Sequence, residues 1–128
     1  MSKPKVHVYQ PVDDTGETYR RMEAKGILVQ VPQENYVDAA NRRERMEVVF
    51  DRDTTIGVGV ANRSKWVTAK SFDSAPDLRM IVKYTVGFDN CDVDEATKRG
   101  VLVVHSPTES NWGGVAEGTV ANILAVLK

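Results

Sequence analysis

The alternation of short β-rich runs with helical segments constrains the fold of this sequence more than any other feature. The runs Val6–Tyr9, "ILVQVP", "TTIGVGVA", "MIVKY" and "VLVVHSP" have strand character. Helical segments separate them, among them "DDTGETYRRMEAKG", which Gly26 ends, and "DVDEATKRG", with Asp92 as N-cap and Gly100 after the last turn. This order predicts a parallel sheet with right-handed crossovers and helices on both faces. We therefore expect an α/β protein with a flavodoxin-like, doubly wound sheet of about five strands in three layers.

The remaining segments have weaker patterns. Residues Tyr36 to Asp53 mix apolar and charged side chains, which predicts a helix. The stretch "VTAKSFDSAPDLR" predicts a short helix or turn that ends before Pro76. The final stretch "GGVAEGTVANILAVLK" is apolar on nearly every face after Glu117, and this is typical of a buried helix.

Charge and cysteine content exclude several classes of protein. The chain has 17 basic and 18 acidic residues, so nothing in its charge indicates a nucleic-acid or membrane partner. Cys91 is the single cysteine, which excludes an internal disulfide and fits a reducing compartment. The N-terminus lacks the pattern of a signal peptide, and the longest apolar stretch is too short to span a membrane. We expect a cytoplasmic protein.

The turn "TVGFDN" follows the fourth predicted strand at its carboxyl end, where ligands collect in doubly wound sheets. A glycine there allows backbone angles that other residues avoid and leaves N–H groups open to an oxyanion. A tight turn that merely leaves the sheet explains the same residues, and spacing alone favours it. Phe88 would then plug the core, while Asp89 and Asn90 would hydrogen-bond the turn.

The other candidate residues can also be explained by structural roles instead of functional ones. "GVGVAN" fails the dinucleotide fingerprint because Asn62 occupies the third glycine position, although Asn62 still ends a strand and could line a pocket. His7 and His105 are interpreted as structural, since no carboxylate at a fitting spacing would orient either as a base. No spacing of metal ligands is present. Cys91 precedes a helix, and an inert, partly buried thiol is favoured over an activated one.

The second half of the chain resembles a known family. "TVGFDNCDVDEATKRGVLVVHSP" followed by "GGVAEGTVANILAVL" is similar to the N-terminal part of the D-isomer-specific 2-hydroxyacid dehydrogenases. Their pattern is (G/S/T)-V-G-(Y/F)-D-N-x-D after a strand, a helix ending in "RG", a strand ending in S-P or T-P, and a hinge helix containing "VAE". The match covers residues 78–128 closely and residues 1–77 by element order, and it looks most like the phosphoglycerate-dehydrogenase-like branch.

The resemblance implies roles for individual residues. Val86 and Gly87 would offer backbone N–H groups to the carboxylate of a 2-hydroxy or 2-keto acid, and Thr85 in the same turn would also bind the substrate. Lys83 falls where relatives often have an arginine near the cleft, so an electrostatic role towards substrate is expected, and Asn62 would line the same pocket. Val86 would also lie near the nicotinamide of NAD or NADP. Val115 and Thr119, in the hinge helix, would complete the cofactor side.

The resemblance also divides the chain. Residues 1–112 would form the substrate-binding domain and residues 113–128 the start of the inter-domain helix. In the family the nucleotide fingerprint, a substrate-orienting arginine, a glutamate and a catalytic histidine follow that helix, so no catalytic residue is expected here. We expect a fragment that is inactive alone, binds no cofactor alone, and self-associates or forms a homodimer through its apolar helix. The alternative is a stand-alone flavodoxin-like module that binds an anion or a protein without catalysis.

Overall fold

The computed structural model describes residues 3–11, 13–33, 44–59 and 64–127. Seven strands lie in these ranges: β1 (Lys5–Val8), β2 (Leu28–Gln30), β3 (Met46–Glu47), β4 (Ile56–Gly59), β5 (Lys65–Trp66), β6 (Met80–Lys83) and β7 (Leu102–Val104). Four helices lie there as well: α1 (Glu17–Glu23), α2 (Ala69–Ser74), α3 (Val93–Lys98) and α4 (Glu109–Val126). None of the helices in these ranges has the length and apolar character that crossing a bilayer requires.

The main sheet confirms the predicted fold. Five parallel strands lie in the order β2-β1-β4-β6-β7, which is the doubly wound, flavodoxin-like order. The five predicted runs supply these strands. The order reverses between β1 and β4, so the turn after β6 lies one strand away from the reversal and next to β4.

Two core clusters cover the two faces of the sheet. On one face, Tyr19 of α1 packs with Val6, Val8 and Val58. On the other face, Phe72 of α2 and Ala96 of α3 pack with the strand residues; that cluster comprises Tyr9, Val48, Phe50, Val67, Phe72, Ala75, Leu78, Ile81, Cys91, Ala96 and Val101. Helices therefore lie on both faces, as the alternation predicts.

The glycines of β4 make room for aromatic rings on the second face. A β-carbon on Gly57 would lie 2.8 Å from side-chain atoms of both Phe50 and Ile81. A β-carbon on Gly59 would overlap the ring of Tyr9, whose Cδ2 would be 2.7 Å away. These strand glycines serve close packing, which a fingerprint search does not detect.

The helix ends follow the predicted signals. Asp92 caps α3 by accepting a hydrogen bond of 2.9 Å from the Glu95 N–H. Gly26 and Gly100 have φ of 81° and 68°, as expected of glycines that end helices. The start of α1 differs from a simple cap, because the Asp13 carboxylate accepts from the N–H groups of Thr15, Gly16 and Thr18 before the helix begins.

Two predictions about secondary structure are wrong. The helix predicted over residues 36–53 is absent from residues 44–53, while residues 36–43 lie outside the described residues. Met46–Glu47 instead forms a parallel pair with Lys65–Trp66, a second small sheet that the sequence pattern does not reveal. The side chains of Val48 and Phe50 then enter the core. The C-terminal helix is not buried either, since its described side chains are all exposed.

Candidate functional site

The candidate site is the turn that leaves β6. We call residues 84–90 the exit loop; it starts directly after Lys83 and ends before the N-cap of α3. Because β6 lies between β4 and β7, the exit loop is flanked by the carboxyl ends of both neighbours. A short turn closes its far end, where Cys91 N–H donates to Phe88 O at 2.9 Å.

Two carbonyl groups of the exit loop are held by residues that follow β7, and a third is held within the loop. The Ser106 N–H donates to Thr85 O at 3.1 Å, and Nδ1 of His105 lies 2.8 Å from Val86 O. The Thr85 hydroxyl donates to Gly87 O at 2.9 Å. Three consecutive carbonyls are thus engaged, so the loop presents its amide edge rather than its carbonyl edge to any ligand.

The amides of Val86 and Gly87 are left without a protein partner. Within the described part of the chain, neither N–H donates a hydrogen bond, and those of Phe88 and Asp89 do not either, whereas Tyr84 at the start of the loop and Cys91 after its end do donate. Val86 and Gly87 are half-buried rather than sealed in the core. Two adjacent, accessible and unpaired N–H groups form an arrangement that binds a carboxylate or another oxyanion.

Gly87 achieves this without a left-handed backbone. Among the described glycines only Gly16, Gly26 and Gly100 have positive φ. The expectation that Gly87 supplies otherwise forbidden angles is therefore wrong. Phe88 also departs from its expected place: its side chain is 43% exposed and lies edge-on against His105, with ring centroids 5.2 Å apart.

Lys83 lies at the base of the exit loop and is fully buried. Its Nζ donates to Asn90 Oδ1 at 2.7 Å and to the Tyr9 hydroxyl at 3.3 Å, so the side chain joins the two ends of the loop. Burial lowers the pKa of Lys83 from 10.5 to about 8. The ammonium points into the fold, and direct contact with substrate stays a prediction that this geometry does not favour.

Asn90 does more than the turn hydrogen bonding expected of it. Its amide group accepts from Lys83 and also donates to Lys65 O in β5. Its backbone carbonyl accepts from the Val67 N–H at 2.9 Å. The end of the exit loop is therefore fixed to the small sheet as well as to β6.

The predicted residues do not all come together. Thr85, Val86, Gly87 and Lys83 lie in or next to the exit loop. Asn62 lies outside the described residues. Val115 and Thr119 lie in α4, where Val115 is 64% exposed and the Thr119 hydroxyl donates to its own helix, to Val115 O at 2.8 Å. Val115 and Thr119 are both exposed on α4, and cofactor contact through them and Val86 stays a prediction.

The remaining candidates have structural roles. Cys91 is buried, and burial raises the pKa of its thiol to about 11 against the opposing effect of Lys83, so an inert thiol stays a prediction that this geometry favours. His7 is packed edge-on against Phe50, and burial lowers its pKa. The described ranges hold no group of histidine, cysteine and carboxylate side chains that could bind a metal ion.

The comparison with protein families identifies the class. Residues 29–122 match the family described as D-isomer specific 2-hydroxyacid dehydrogenase, catalytic domain. That match covers most of the chain and includes the whole exit loop. The chain belongs to this family, as its strand order and the "TVGFDN" turn indicate.

Individual relatives agree with this assignment. The chain is 34% identical over 128 residues to a glyoxylate reductase of Thermofilum pendens, and the alignment covers 100% of this chain and 35% of the relative. It is 38% identical over 90 residues to a D-3-phosphoglycerate dehydrogenase of Mycobacterium leprae, covering 70% of this chain and 16% of the relative. The chain thus spans about a third or less of the length of these relatives.

Solved structures share the fold. The TT0316 protein of Thermus thermophilus superimposes with a TM-score of 0.65 at 25% identity, covering 95% of this chain and 36% of that one. An NAD-dependent formate dehydrogenase from Staphylococcus aureus, solved in complex with NAD, gives the same TM-score of 0.65 at 19% identity, covering 94% and 37%. At that identity the second likeness concerns the fold alone.

Proposed function

We propose that this chain supplies the carboxylate-binding part of an oxidoreductase acting on a D-2-hydroxy acid or the corresponding 2-keto acid. The observation that supports this most is the pair of unpaired N–H groups at Val86 and Gly87, set in a loop where the Thr85, Val86 and Gly87 carbonyls are engaged. Charge-assisted hydrogen bonds from two amides orient a carboxylate and leave the neighbouring carbon free to react.

The substrate we expect is a small acid. The Thermofilum pendens relative, which aligns with the whole chain, is named a glyoxylate reductase, and the Mycobacterium leprae phosphoglycerate dehydrogenase aligns over a shorter stretch. Both names describe enzymes of 2-hydroxy or 2-keto acids, and the shared part of their substrates is the carboxylate with its adjacent oxygen-bearing carbon. The two amides of the exit loop suit that shared part, so the size of the remainder is set elsewhere.

The cofactor belongs to the whole protein in this proposal. NAD or NADP would supply the hydride, and the proton would move through an acid/base residue. The histidines described here do not suit that task, because His7 is packed within the sheet and His105 is bound to Val86 O. We therefore expect no oxidation of NADH or NADPH by the 128-residue chain with any 2-keto acid, and measurable turnover would contradict this assignment.

The exposed helix α4 fits the same proposal. Its apolar side chains, including Val120, Ile123 and Leu124, are each more than half exposed, whereas sequences of this kind are normally covered. We propose that a second copy of the chain covers this face when the 128 residues are studied alone. Burial of several aliphatic side chains at about 25 cal/mol per Å² favours such association.

Binding of glycolate tests the main proposal. Glycolate is the smallest 2-hydroxy acid, and glycolamide has the same shape without the charge. In ¹H–¹⁵N spectra of the 128-residue chain, glycolate should shift the amide signals of Val86 and Gly87 in a saturable manner, and glycolamide should not. The amides of Tyr84 and Cys91, which already donate to the protein, serve as internal controls. Equal shifts with both compounds, or shifts elsewhere only, would refute the site.

A further inference from the structure

We propose that His105 is a positioning residue, which acts with the Ser106 backbone to hold the carbonyls of the exit loop and thereby aims the Val86 and Gly87 amides at the bound carboxylate. The ligand in this statement rests on the function proposed above. The order of the loop itself rests only on the hydrogen bonds around β7. An experiment can therefore refute the binding of the carboxylate without refuting the positioning of the loop by His105, and the reverse.

The direction of the amides follows from peptide geometry. The described chain contains no cis peptide bond, and in a trans peptide the N–H points opposite to the C=O. Thr85 O faces the Ser106 N–H at 3.1 Å, so the Val86 N–H of the same peptide points away from β7. Val86 O faces Nδ1 of His105 at 2.8 Å, so the Gly87 N–H points away from β7 too.

A third peptide confirms this reasoning within the same loop. Lys83 O accepts from the Ser106 hydroxyl at 3.2 Å on the side of β7. The N–H of that peptide, at Tyr84, does point the other way: it donates to Gly59 O of β4 at 2.9 Å. The two unpaired amides therefore face the β4 side of the exit loop, and both do so because residues 105 and 106 hold the opposite edge.

His105 must carry its proton on a particular nitrogen to do this. Val86 O is an acceptor only, so the nitrogen 2.8 Å from it has to be protonated. The neutral ring is then the Nδ1–H tautomer, with Nε2 bare. Edge-on contact with Phe88, at 5.2 Å between centroids, fixes the plane of the ring. A residue without a donor at the Nδ1 position would leave the Val86–Gly87 peptide free to rotate and misdirect its N–H.

Two variants separate this role from simple packing. The amide nitrogen of asparagine is as far from the backbone as Nδ1 of histidine, whereas that of glutamine corresponds to Nε2. His105→Asn should keep glycolate affinity within about twofold, and His105→Gln should weaken it about five- to tenfold, the loss expected for one hydrogen bond. The ¹⁵N order parameter of Gly87 should fall in His105→Gln, where the Val86–Gly87 peptide loses its hydrogen bond, and should stay unchanged in His105→Asn.

Three results would overturn the inference. These are equal glycolate affinity in the two variants, an unchanged Gly87 order parameter in His105→Gln, or ¹⁵N shifts showing the Nε2–H tautomer in the unmodified chain. The tautomer and the order parameters are measured without ligand and without any need for the glutamine variant to bind. A chain that fails to bind glycolate at all, yet shows the Nδ1–H tautomer and the lowered Gly87 order parameter, would refute the proposed function and leave the positioning role standing.

Discussion

Lys83→Met should change the stability of the fold in a way that depends strongly on pH. The Lys83 side chain is fully buried beside Asn90 and Tyr9, and burial lowers its pKa from 10.5 to about 8. The folded chain therefore releases this proton at lower pH than the unfolded chain does. Between about pH 8 and 10.5 the unfolded state binds more protons, so the Lys83 contribution to the free energy of unfolding rises with pH.

The size of this effect follows from the two pKa values. Below pH 8 the ammonium is charged in both states, and its burial costs about 3 kcal/mol relative to the neutral amine. By pH 10 about 2–3 kcal/mol of that cost has been removed. Methionine has a similar length and does not titrate, but it deprives Asn90 Oδ1 of its Lys83 donor at a cost of about 1–2 kcal/mol. The variant should be about 1–2 kcal/mol more stable than the parent at pH 7 and no more stable at pH 10.

Urea unfolding at intervals from pH 7 to 10 measures this directly. The informative quantity is the difference between the two chains at each pH, because titration of every other group in the unfolded state cancels. Lys70→Met, which removes an exposed lysine, controls for the loss of one positive charge. A difference between parent and Lys83→Met that stays constant within about 0.5 kcal/mol over this range would refute the reasoning.

Three further expectations concern packing and association. Gly59→Ala should lower the free energy of unfolding by about 2–3 kcal/mol because the new methyl group overlaps the buried Tyr9 ring. Gly118→Ala in the exposed helix α4 should raise the free energy of unfolding by about 0.5–1 kcal/mol. Equal effects of the two variants in thermal melts would contradict the packing argument. Cys91, with a buried thiol whose pKa is about 11, should react with a disulfide reagent at pH 8 only as fast as the fold opens, and rapid labelling of the native chain would be inconsistent with its burial. Leu124→Lys should shift the 128-residue chain towards monomer in light scattering, and a parent that is monomeric at every concentration would remove the case for a covered α4.

The sheet could be predicted because its signals are local. Each strand of the main sheet is a short β-rich run, and Gly26, Asp92 and Gly100 mark helix ends by properties of single residues. The small sheet could not be predicted in this way. Its two strands have two residues each, too few for any periodicity, and they are held by pairing between segments distant in sequence.

The sequence was sufficient to predict where the candidate site lies, but not how Lys83 and His105 are arranged around it. The family resemblance predicts that the Val86 and Gly87 amides contact the ligand, and the structure agrees because both residues are half-buried and their amides are unpaired. The positions of Lys83 and His105 were open, because the direction of a side chain at a strand end depends on its neighbours in the sheet. One signal was available: parallel strands end at the same edge, so a polar step after β7 falls beside the exit of β6.

The amides, the residues that hold their carbonyls and the short helix between them all lie within residues 83–106 of the chain. A recognition element encoded in one uninterrupted β-α-β segment can be exchanged as a single block. Recombination at its two borders would carry the anion-binding turn into another doubly wound protein together with its own support. The recipient would have to match the outside contacts of this segment, among them a carbonyl at the end of the neighbouring strand, a hydroxyl for the buried lysine and backbone partners for Asn90.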